Sequence, residues 1–345
     1  MTAMPRFVPD IQANDGTSSA LNGFDVASVR GDYTAPPYLL KNTLQRGEIL
    51  VMFGDSGVMK SFVAIDISMH VGLGLDWNGF TCRRAGVLYV CGEGGAGVRK
   101  RFRAWMIANE VLENDDQPDV YVTTEPADLI GDPGQLGETI RFAADALGRS
   151  IDLVVIDTLS ANFGEGDESR TDDVHRVLRN LQTVTGGAAV LLVHHVGHGD
   201  KTRERGAYAM RAAADRRWLV ERPDPGELIA VKFLKAKDEA LASGVVMRWQ
   251  TVPLGWFDGD GDELTSVALE LSDGEMPRPT AVITGKAQKA VMIALRSSGG
   301  MTKSALVQAL AAEKIAKRSV YSAVEGLLRE GHIEEVFTKL VVSVK

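Results

Sequence analysis

Residues 49–61 read I-L-V-M-F-G-D-S-G-V-M-K-S, and this stretch is the most informative part of the sequence. The apolar run Ile49–Phe53 predicts a buried strand, and the stretch Phe62–Gly72 predicts a helix. A strand, a glycine-bearing turn and Lys-Ser opening a helix form the layout that holds nucleotide phosphates, because backbone N–H groups and the positive helix end face the anion. In that layout Lys60 neutralises the β- and γ-phosphates, and the Ser61 hydroxyl reaches Mg²⁺.

The residue before the lysine departs from the usual pattern, which has glycine where this chain has Met59. If the backbone there needs a positive φ, a non-glycine residue costs about 1–3 kcal/mol. We expect weakened but not abolished nucleotide binding. The predicted phosphate-binding residues are Gly54, Asp55, Ser56, Gly57, Val58, Met59, Lys60, Ser61 and Phe62.

Two further apolar runs end in carboxylates. Leu153–Ile156 leads into Asp157, which can hold a water on Mg²⁺ together with Ser61. The run from Val87 ends at Glu93 among glycines, and its position beside the phosphate-loop strand suits it to orient the attacking water. The alternatives are a capping aspartate and a solvated turn glutamate.

A third run ends in His194 and His195, which could sense the γ-phosphate. A metal site with His198 is disfavoured, because this spacing does not place three imidazoles on one face. The following loop is rich in glycine and in basic residues, which suits it to grip a nucleic-acid backbone, although an ordinary surface loop is the alternative. Its predicted DNA-binding residues are His198, Lys201, Arg203 and Arg205.

Lys235 and Lys237 lie two residues apart in a predicted strand, so we expect them on one side of it. Two such cations could reach the γ-phosphate bound by a neighbouring subunit and stabilise charge in the transition state. A solvated strand face is the alternative.

Composition is that of an ordinary globular protein, with 45% apolar and 24% charged residues in 345. Residues 1–22 have no apolar stretch of signal-peptide length, so we expect a cytoplasmic protein with no membrane partner. Cys82 and Cys91 are expected to be buried or half-buried thiols. The net charge of −8 is uneven, because residues 285–345 contain ten Lys or Arg and five Glu. That segment therefore carries +5 and the rest −13, and local charge decides which surface attracts phosphates.

Strands and helices alternate from Glu48, and the pattern predicts helices at Lys60–Leu73 and Val98–Val111 and a strand at Val120–Thr123 among others. The continuous apolar strands predict an α/β core with a mostly parallel sheet. After His194, short strands separated by turns, beginning with Trp218–Glu221, predict an antiparallel extension at the sheet edge. We expect four parts: a flexible N-terminal arm (1–36), the core (37–275), a linker (276–285) and a C-terminal domain (286–345).

The C-terminal domain is predicted to contain three helices and a hairpin, the layout of a winged helix-turn-helix. Its third helix begins near Lys317 and Arg318, which could bind duplex DNA. A protein-protein module of the same fold is the alternative.

The order of these motifs over residues 37–252 resembles the RecA-like P-loop ATPases. It looks closest to the RepA-type hexameric helicases of plasmids and phages, relatives of the DnaB-type helicases. The resemblance implies ATP and Mg²⁺ as cofactors, Glu93 as the catalytic glutamate, His194 and His195 as the sensor, and Lys235 and Lys237 as a finger acting on the next subunit. It also implies that the loops after Asp157 and His195 face a central channel.

From these features we predict an ATP-hydrolysing motor that acts as a homohexameric ring on single-stranded DNA during phage or plasmid replication. Two alternatives stay open. One is a recombination or repair ATPase that binds single strands without unwinding. The other is a nucleotide-binding DNA regulator that does not hydrolyse ATP.

Overall fold

The protein's computed structural model describes residues 35–93, 95–113, 116–195, 208–223, 226–272, 286–312, 315–329, 333–336 and 339–342. The chain divides into residues 1–37 and a larger unit, 38–345. The predicted N-terminal arm, apart from residues 35 and 36, and the predicted linker lie outside the described residues.

Strands and helices follow one another through the larger unit. The strands are β1 (Tyr38–Leu40), β2 (Leu44–Gln45), β3 (Ile49–Gly54), β4 (Gly86–Cys91), β5 (Val120–Thr123), β6 (Ile151–Asp157), β7 (Ala189–His195), β8 (Arg216–Glu221), β9 (Leu228–Ala236), β10 (Val245–Phe257), β11 (Glu263–Leu271), β12 (Ile333–Val336) and β13 (Lys339–Val342). The helices are α1 (Lys60–Leu73), α2 (Gly95–Ala108), α3 (Pro133–Leu147), α4 (Leu159–Asn162), α5 (Thr171–Val184), α6 (Tyr208–Ala213), α7 (Lys286–Ser298), α8 (Lys303–Ala311) and α9 (Lys317–Arg329).

Among the described residues, one nine-stranded sheet organises the core, in the order β11-β10-β9-β8-β3-β7-β6-β4-β5. The strands from β8 to β5 in that order pair in parallel. β9 pairs antiparallel with β8, and β10 pairs antiparallel with β9 and β11. The predicted fold class, an α/β core with a mostly parallel sheet and an antiparallel extension at its edge, is confirmed.

The phosphate-loop strand β3 lies inside the sheet, between β7 and β8. All six of its residues are buried, because helices cover both faces and leave no side to water. Leu50 and Met52 join the apolar cluster that includes α1 and α2, while Val51 and Phe53 join the cluster that includes α3 and α5. The strand is therefore fixed from both faces, which holds the turn after it.

Two sequence predictions about the sheet need correction. The stretch Trp218–Glu221 was expected in the antiparallel extension, but β8 runs parallel to β3, and the antiparallel part begins at β9. Glu93 was expected beside the phosphate-loop strand, but β7 and β6 separate β4 from β3. Parallel strands are joined by long crossover connections. Two strands that follow one another in the chain therefore need not be adjacent in the sheet.

The antiparallel extension packs onto helix α2. The Arg103 Nε donates to the Leu254 carbonyl at 2.7 Å, and the Arg103 guanidinium lies 4.6 Å from the Trp256 ring centre. Ala104, Val252, Leu254 and Ala268 form a small apolar cluster at the same place. The extension thus fixes α2, the helix that follows Glu93.

The C-terminal helices α7, α8 and α9 share one apolar cluster with the β12-β13 hairpin. Val291, Leu306, Val324 and Leu340 are buried there, one from each helix and one from the hairpin. The Thr302 hydroxyl accepts from the Ala305 amide at 3.2 Å and caps α8. The expected order of three helices and a hairpin is present, and its assignment as a winged helix stays a prediction.

Within the described parts of the chain, we find no helix that combines the length and the apolar composition needed to cross a bilayer. Cys82 and Cys91 are both buried, as expected.

Candidate nucleotide site

Four predicted motifs meet at one edge of the sheet. Parallel strands present their carboxyl ends to the same side, so the turns after β3, β4, β6 and β7 converge. Lys60, Glu93, Asp157 and His195 lie in or beside these turns. The strand order β3-β7-β6-β4 gives the order in which these residues lie along the cleft: Lys60, His195, Asp157 and Glu93.

The turn after β3 has two residues in the left-handed region, Gly57 at φ 78° and Met59 at φ 72°. A Cβ on Gly57 would meet nothing within 4 Å, so the turn is open there. A Cβ on Gly54 would lie 2.3 Å from the Val220 carbonyl oxygen, so only glycine fits where the turn leaves the strand. Met59 therefore holds the conformation in which glycine is favoured, and its side chain packs against the apolar core.

Lys60 is buried, and its amine binds the turn that it follows. The Nζ donates to the Gly54 carbonyl at 3.0 Å and to the Asp55 carbonyl at 2.7 Å. Burial lowers the pKa of Lys60 to about 8, although Asp157, Asp55 and Glu93 oppose that shift. The cation thus faces a cluster of acids in a partly dry cleft, where a phosphate would find strong attraction.

Ser61 and Asp157 are joined by a hydrogen bond, in which the Ser61 Oγ donates to the Asp157 Oδ1 at 3.1 Å. The Tyr89 hydroxyl donates to the other oxygen, Oδ2, at 2.5 Å. Burial raises the pKa of Asp157, while the bonds from Tyr89 and Ser61 lower it. Burial, followed by the charge of Asp157, raises the pKa of Tyr89 well above its usual value, so the phenol remains a donor.

These groups fit a magnesium nucleotide. A serine hydroxyl and a carboxylate in contact are oxygen donors of the kind that Mg²⁺ takes from proteins when phosphates and waters supply its other ligands. The open turn at Gly57 and the amine of Lys60 are suited to the phosphates. The predicted metal ligands, Ser61 and Asp157, are thus brought together, and their role stays a prediction.

Glu93 lies at the exposed end of the turn after β4. Its Oε1 accepts a hydrogen bond from the Thr158 hydroxyl at 3.0 Å. Glu93 also acts electrostatically on Lys60, Asp157 and His195, so it faces the same cleft. An exposed carboxylate near these groups can orient a water.

His194 and His195 end the strand β7, beside the phosphate-loop strand, where they pair with Phe53 and Gly54. His194 is buried. The His195 Nδ1 lies 3.4 Å from the Lys60 Nζ. Burial and then the Lys60 charge lower the pKa of His195, so the neutral ring can accept from the amine. His195 is therefore in direct contact with Lys60.

Lys235 and Lys237 both contact their own chain. The Lys235 Nζ donates to the carbonyl oxygens of Arg211, Ala212 and Ala214 at the end of α6. Lys237 follows the last residue of β9, and its Nζ lies 3.2 Å from Asp215 Oδ1. Both amines are thus engaged within their own chain.

The four predicted DNA-binding residues of the loop after β7 (His198, Lys201, Arg203 and Arg205) lie outside the described residues. Lys317 and Arg318 are exposed at the start of α9. The Lys317 amine lies 5.8 Å from the ring centre of Tyr321. Both cations are therefore free to meet solvent on a surface that also offers an aromatic ring.

Three residues of the site were not found from the sequence. Tyr89 lies in the middle of an apolar strand, where a phenol predicts only burial. Arg101 belongs to the helix α2, and its guanidinium lies 5.2 Å from the Phe62 ring centre. Thr158 follows Asp157 directly, and that adjacency was the one available signal. The contacts of all three are set by tertiary packing.

Comparisons with known proteins identify one family, and the structural likenesses include a recombinase. The family described as AAA domain matches residues 17–201. The crystal structure of the RadB recombinase is similar at 13% sequence identity and a TM-score of 0.43, covering 59% of this chain and 87% of that one. No curated protein matches the sequence significantly.

Proposed function

Because the chain belongs to the AAA domain family, we propose that it hydrolyses ATP and uses the energy to move along single-stranded DNA as a ring. The observation that carries the ATPase part is the contact of Ser61 with Asp157 beside the buried amine of Lys60. These groups combine oxygen ligands for Mg²⁺ with a cation for the phosphates, in one cleft.

In this proposal each residue has one task. Lys60 exchanges its carbonyl partners for the β- and γ-phosphate oxygens, and Ser61 and Asp157 hold the metal site. Bound Mg²⁺ would neutralise charge that develops on the phosphates. Glu93 orients the attacking water, and His195 senses the γ-phosphate through its contact with Lys60.

The ring and the DNA track are the finer parts of the proposal. Lys235 and Lys237 would leave their own chain to reach the nucleotide of the next subunit, and repeated head-to-tail contacts close into a ring. The basic loop after β7 would contact the single strand, and the start of α9 would contact duplex DNA. These roles rest on the sequence pattern and on the exposure of Lys317 and Arg318.

The first test is ATP turnover with Mg²⁺ by the full chain and by Lys60→Ala. We expect turnover by the wild type and its loss in the variant, because the phosphates lose their buried cation. Lys289→Ala, an exposed lysine on α7, is the matched control and should keep wild-type turnover. An inactive wild type that still binds Mg²⁺-ATP would favour the non-hydrolysing regulator, and turnover retained by Lys60→Ala would place the reaction elsewhere.

A second test separates the motor from the recombination alternative. A ring-forming helicase should displace a paired strand in an ATP-dependent assay and sediment as a hexamer with a non-hydrolysable ATP analogue. Annealing of complementary strands without displacement would favour the alternative. A persistent monomer with full activity would refute the ring.

A further inference from the structure

Glu93 is held by a hydroxyl that belongs to another strand end. The Thr158 Oγ1 donates to Glu93 Oε1 at 3.0 Å and accepts from the Ala161 amide at 3.4 Å. A threonine hydroxyl has one hydrogen and two acceptor lone pairs. Because the amide engages a lone pair, the hydrogen is left to point at the carboxylate. The first turn of α4 therefore sets the direction in which Thr158 donates.

Asn162 fixes the main chain of Thr158. It is fully buried, and its Nδ2 donates to the Thr158 carbonyl at 2.8 Å. Its Oδ1 accepts from the Ala127 amide at 2.7 Å, in the segment after β5. The donor and the acceptor of the side-chain amide are thus both engaged, and they connect α4 to the segment that follows β5.

The turn that carries Glu93 rests directly on the same helix. A Cβ on Gly92 would lie 2.5 Å from Asn162 Nδ2 and 2.6 Å from the Ala161 Cβ. The Gly92 amide also donates to the Asp157 carbonyl at 2.7 Å. The backbone before Glu93 and the side chain of Glu93 are therefore both located by the segment from Asp157 to Asn162.

We infer that Thr158 and Asn162 are positioning residues for Glu93, which hold its carboxylate toward the metal-side carboxylate Asp157. The inference rests on the proposed hydrolysis of ATP, in which Glu93 orients the attacking water. An exposed glutamate otherwise samples many rotamers, and a misplacement of about 1 Å can cost about 100-fold in rate. Thr158 donates to Oε1, so Oε2 is the oxygen that would orient the water.

The test compares Thr158→Val, which removes the hydroxyl at nearly constant shape, with Thr158→Ser, which keeps it. We expect Thr158→Val to lower kcat by about 10- to 100-fold with little change in the KM for ATP, because Thr158 is buried and its hydroxyl donates to Glu93 and not into the phosphate loop. Thr158→Ser should recover kcat to within about threefold of the wild type. Thr183→Val is the matched control, since the bond that its hydroxyl donates goes to the Arg179 carbonyl in its own helix.

A double-mutant cycle gives a readout that a merely structural role would not move. In a Glu93→Gln background, Thr158→Val should change the residual kcat by less than about twofold, because the group it positions is already lost. Asn162→Asp keeps an acceptor for Ala127 but loses the donor to Thr158. It should reproduce the fall in kcat while binding of a non-hydrolysable ATP analogue is retained.

The outcomes separate the inference from the function on which it rests. A wild type without turnover would overturn both. A wild type with turnover, a slow Glu93→Gln and a Thr158→Val variant at the wild-type rate would overturn the inference alone. So would independent effects of Thr158→Val and Glu93→Gln in the cycle.

Discussion

At the scale of single residues, Met59 is the feature that most separates this phosphate loop from the usual pattern. Its φ of 72° places an unbranched side chain where L-residues are crowded, at a cost of about 1–2 kcal/mol. The side chain recovers part of that cost by packing against the core. A glycine at this position would relieve the backbone strain but would lose the contacts of the Met59 side chain with the core, so the two effects on stability oppose each other.

Comparison of Met59→Gly with Met59→Ala isolates the cost of a positive φ at residue 59. Both variants lose the packing of the methionine side chain, and only alanine keeps a Cβ. We expect Met59→Gly to have a free energy of unfolding about 1 kcal/mol higher than Met59→Ala in chemical denaturation. We also expect Mg²⁺-ATP to bind Met59→Gly more tightly in calorimetry. An alanine variant as stable as the glycine variant would show that the turn is not strained.

The site residues that could be predicted from the sequence are those that belong to a short local motif. Lys60 and Ser61 follow from the turn, and Asp157 follows from its strand. Three other residues do not follow from such a pattern, because each lies far along the chain from its partner. The separation is 68 residues for Tyr89 and Asp157, 39 for Arg101 and Phe62, and 65 for Thr158 and Glu93. Contacts at such separations depend on the strand order, which one sequence does not determine.

At the scale of elements, the core strands and the long helices were predicted closely, and the short helices were missed. The helix Lys60–Leu73 and the strand Val120–Thr123 have the predicted bounds. Helix α2 begins at Gly95, three residues before the predicted Val98, because glycines are poor helix formers and hide the start. Helices α4 and α6, of four and six residues, carry too little periodicity to be detected.

Three elements are joined at Asp66 on helix α1. Its carboxylate accepts from Trp77 Nε1 at 2.8 Å and from Trp105 Nε1, on α2, at 2.7 Å. Asp66 is buried, and burial raises its pKa. The carboxylate therefore holds α1, which begins at the phosphate loop, against α2 and the segment after α1.

Replacement of Asp66 by alanine should destabilise the fold by about 3 kcal/mol, because two buried indole N–H groups lose their acceptor. Asp66→Asn should cost less, since the amide oxygen can still accept from one indole. Denaturation followed by tryptophan fluorescence measures both. Asp76→Ala, an exposed carboxylate that accepts from the Cys82 amide, is the control and should cost under about 1.5 kcal/mol. Equal losses at positions 66 and 76 would contradict the network.

At the scale of the whole molecule, charge is divided along the chain. The segment 285–345 carries +5 while the chain as a whole carries −8. Such a segment can attract a polyanion that the acidic remainder repels, since surface charges act over about 8 Å at physiological salt. The exposed cations Lys317 and Arg318 lie at the start of α9, the third helix of that segment.

We expect Lys317→Glu with Arg318→Glu to weaken duplex DNA binding by the full chain and to reduce the slope of log K against log salt by about 2. Fluorescence anisotropy over a salt series measures both quantities. Lys289→Glu with Arg296→Glu makes the same charge change on α7 and should have a smaller effect. Equal weakening by the two pairs would show that only total charge matters, and would remove the case for a DNA-reading helix.

Because the amine of Lys60 is buried, the affinity of the site for nucleotide should depend on pH. Its pKa of about 8 lies below the ordinary 10.5, so between these values the unfolded chain binds more protons and the fold gains stability as pH rises. A polyphosphate favours the ammonium form and raises that pKa again. Above about pH 8, complex formation must therefore take up hydrogen ions, and affinity must decline with alkalinity. The heat released would then differ between buffers of different ionisation enthalpy.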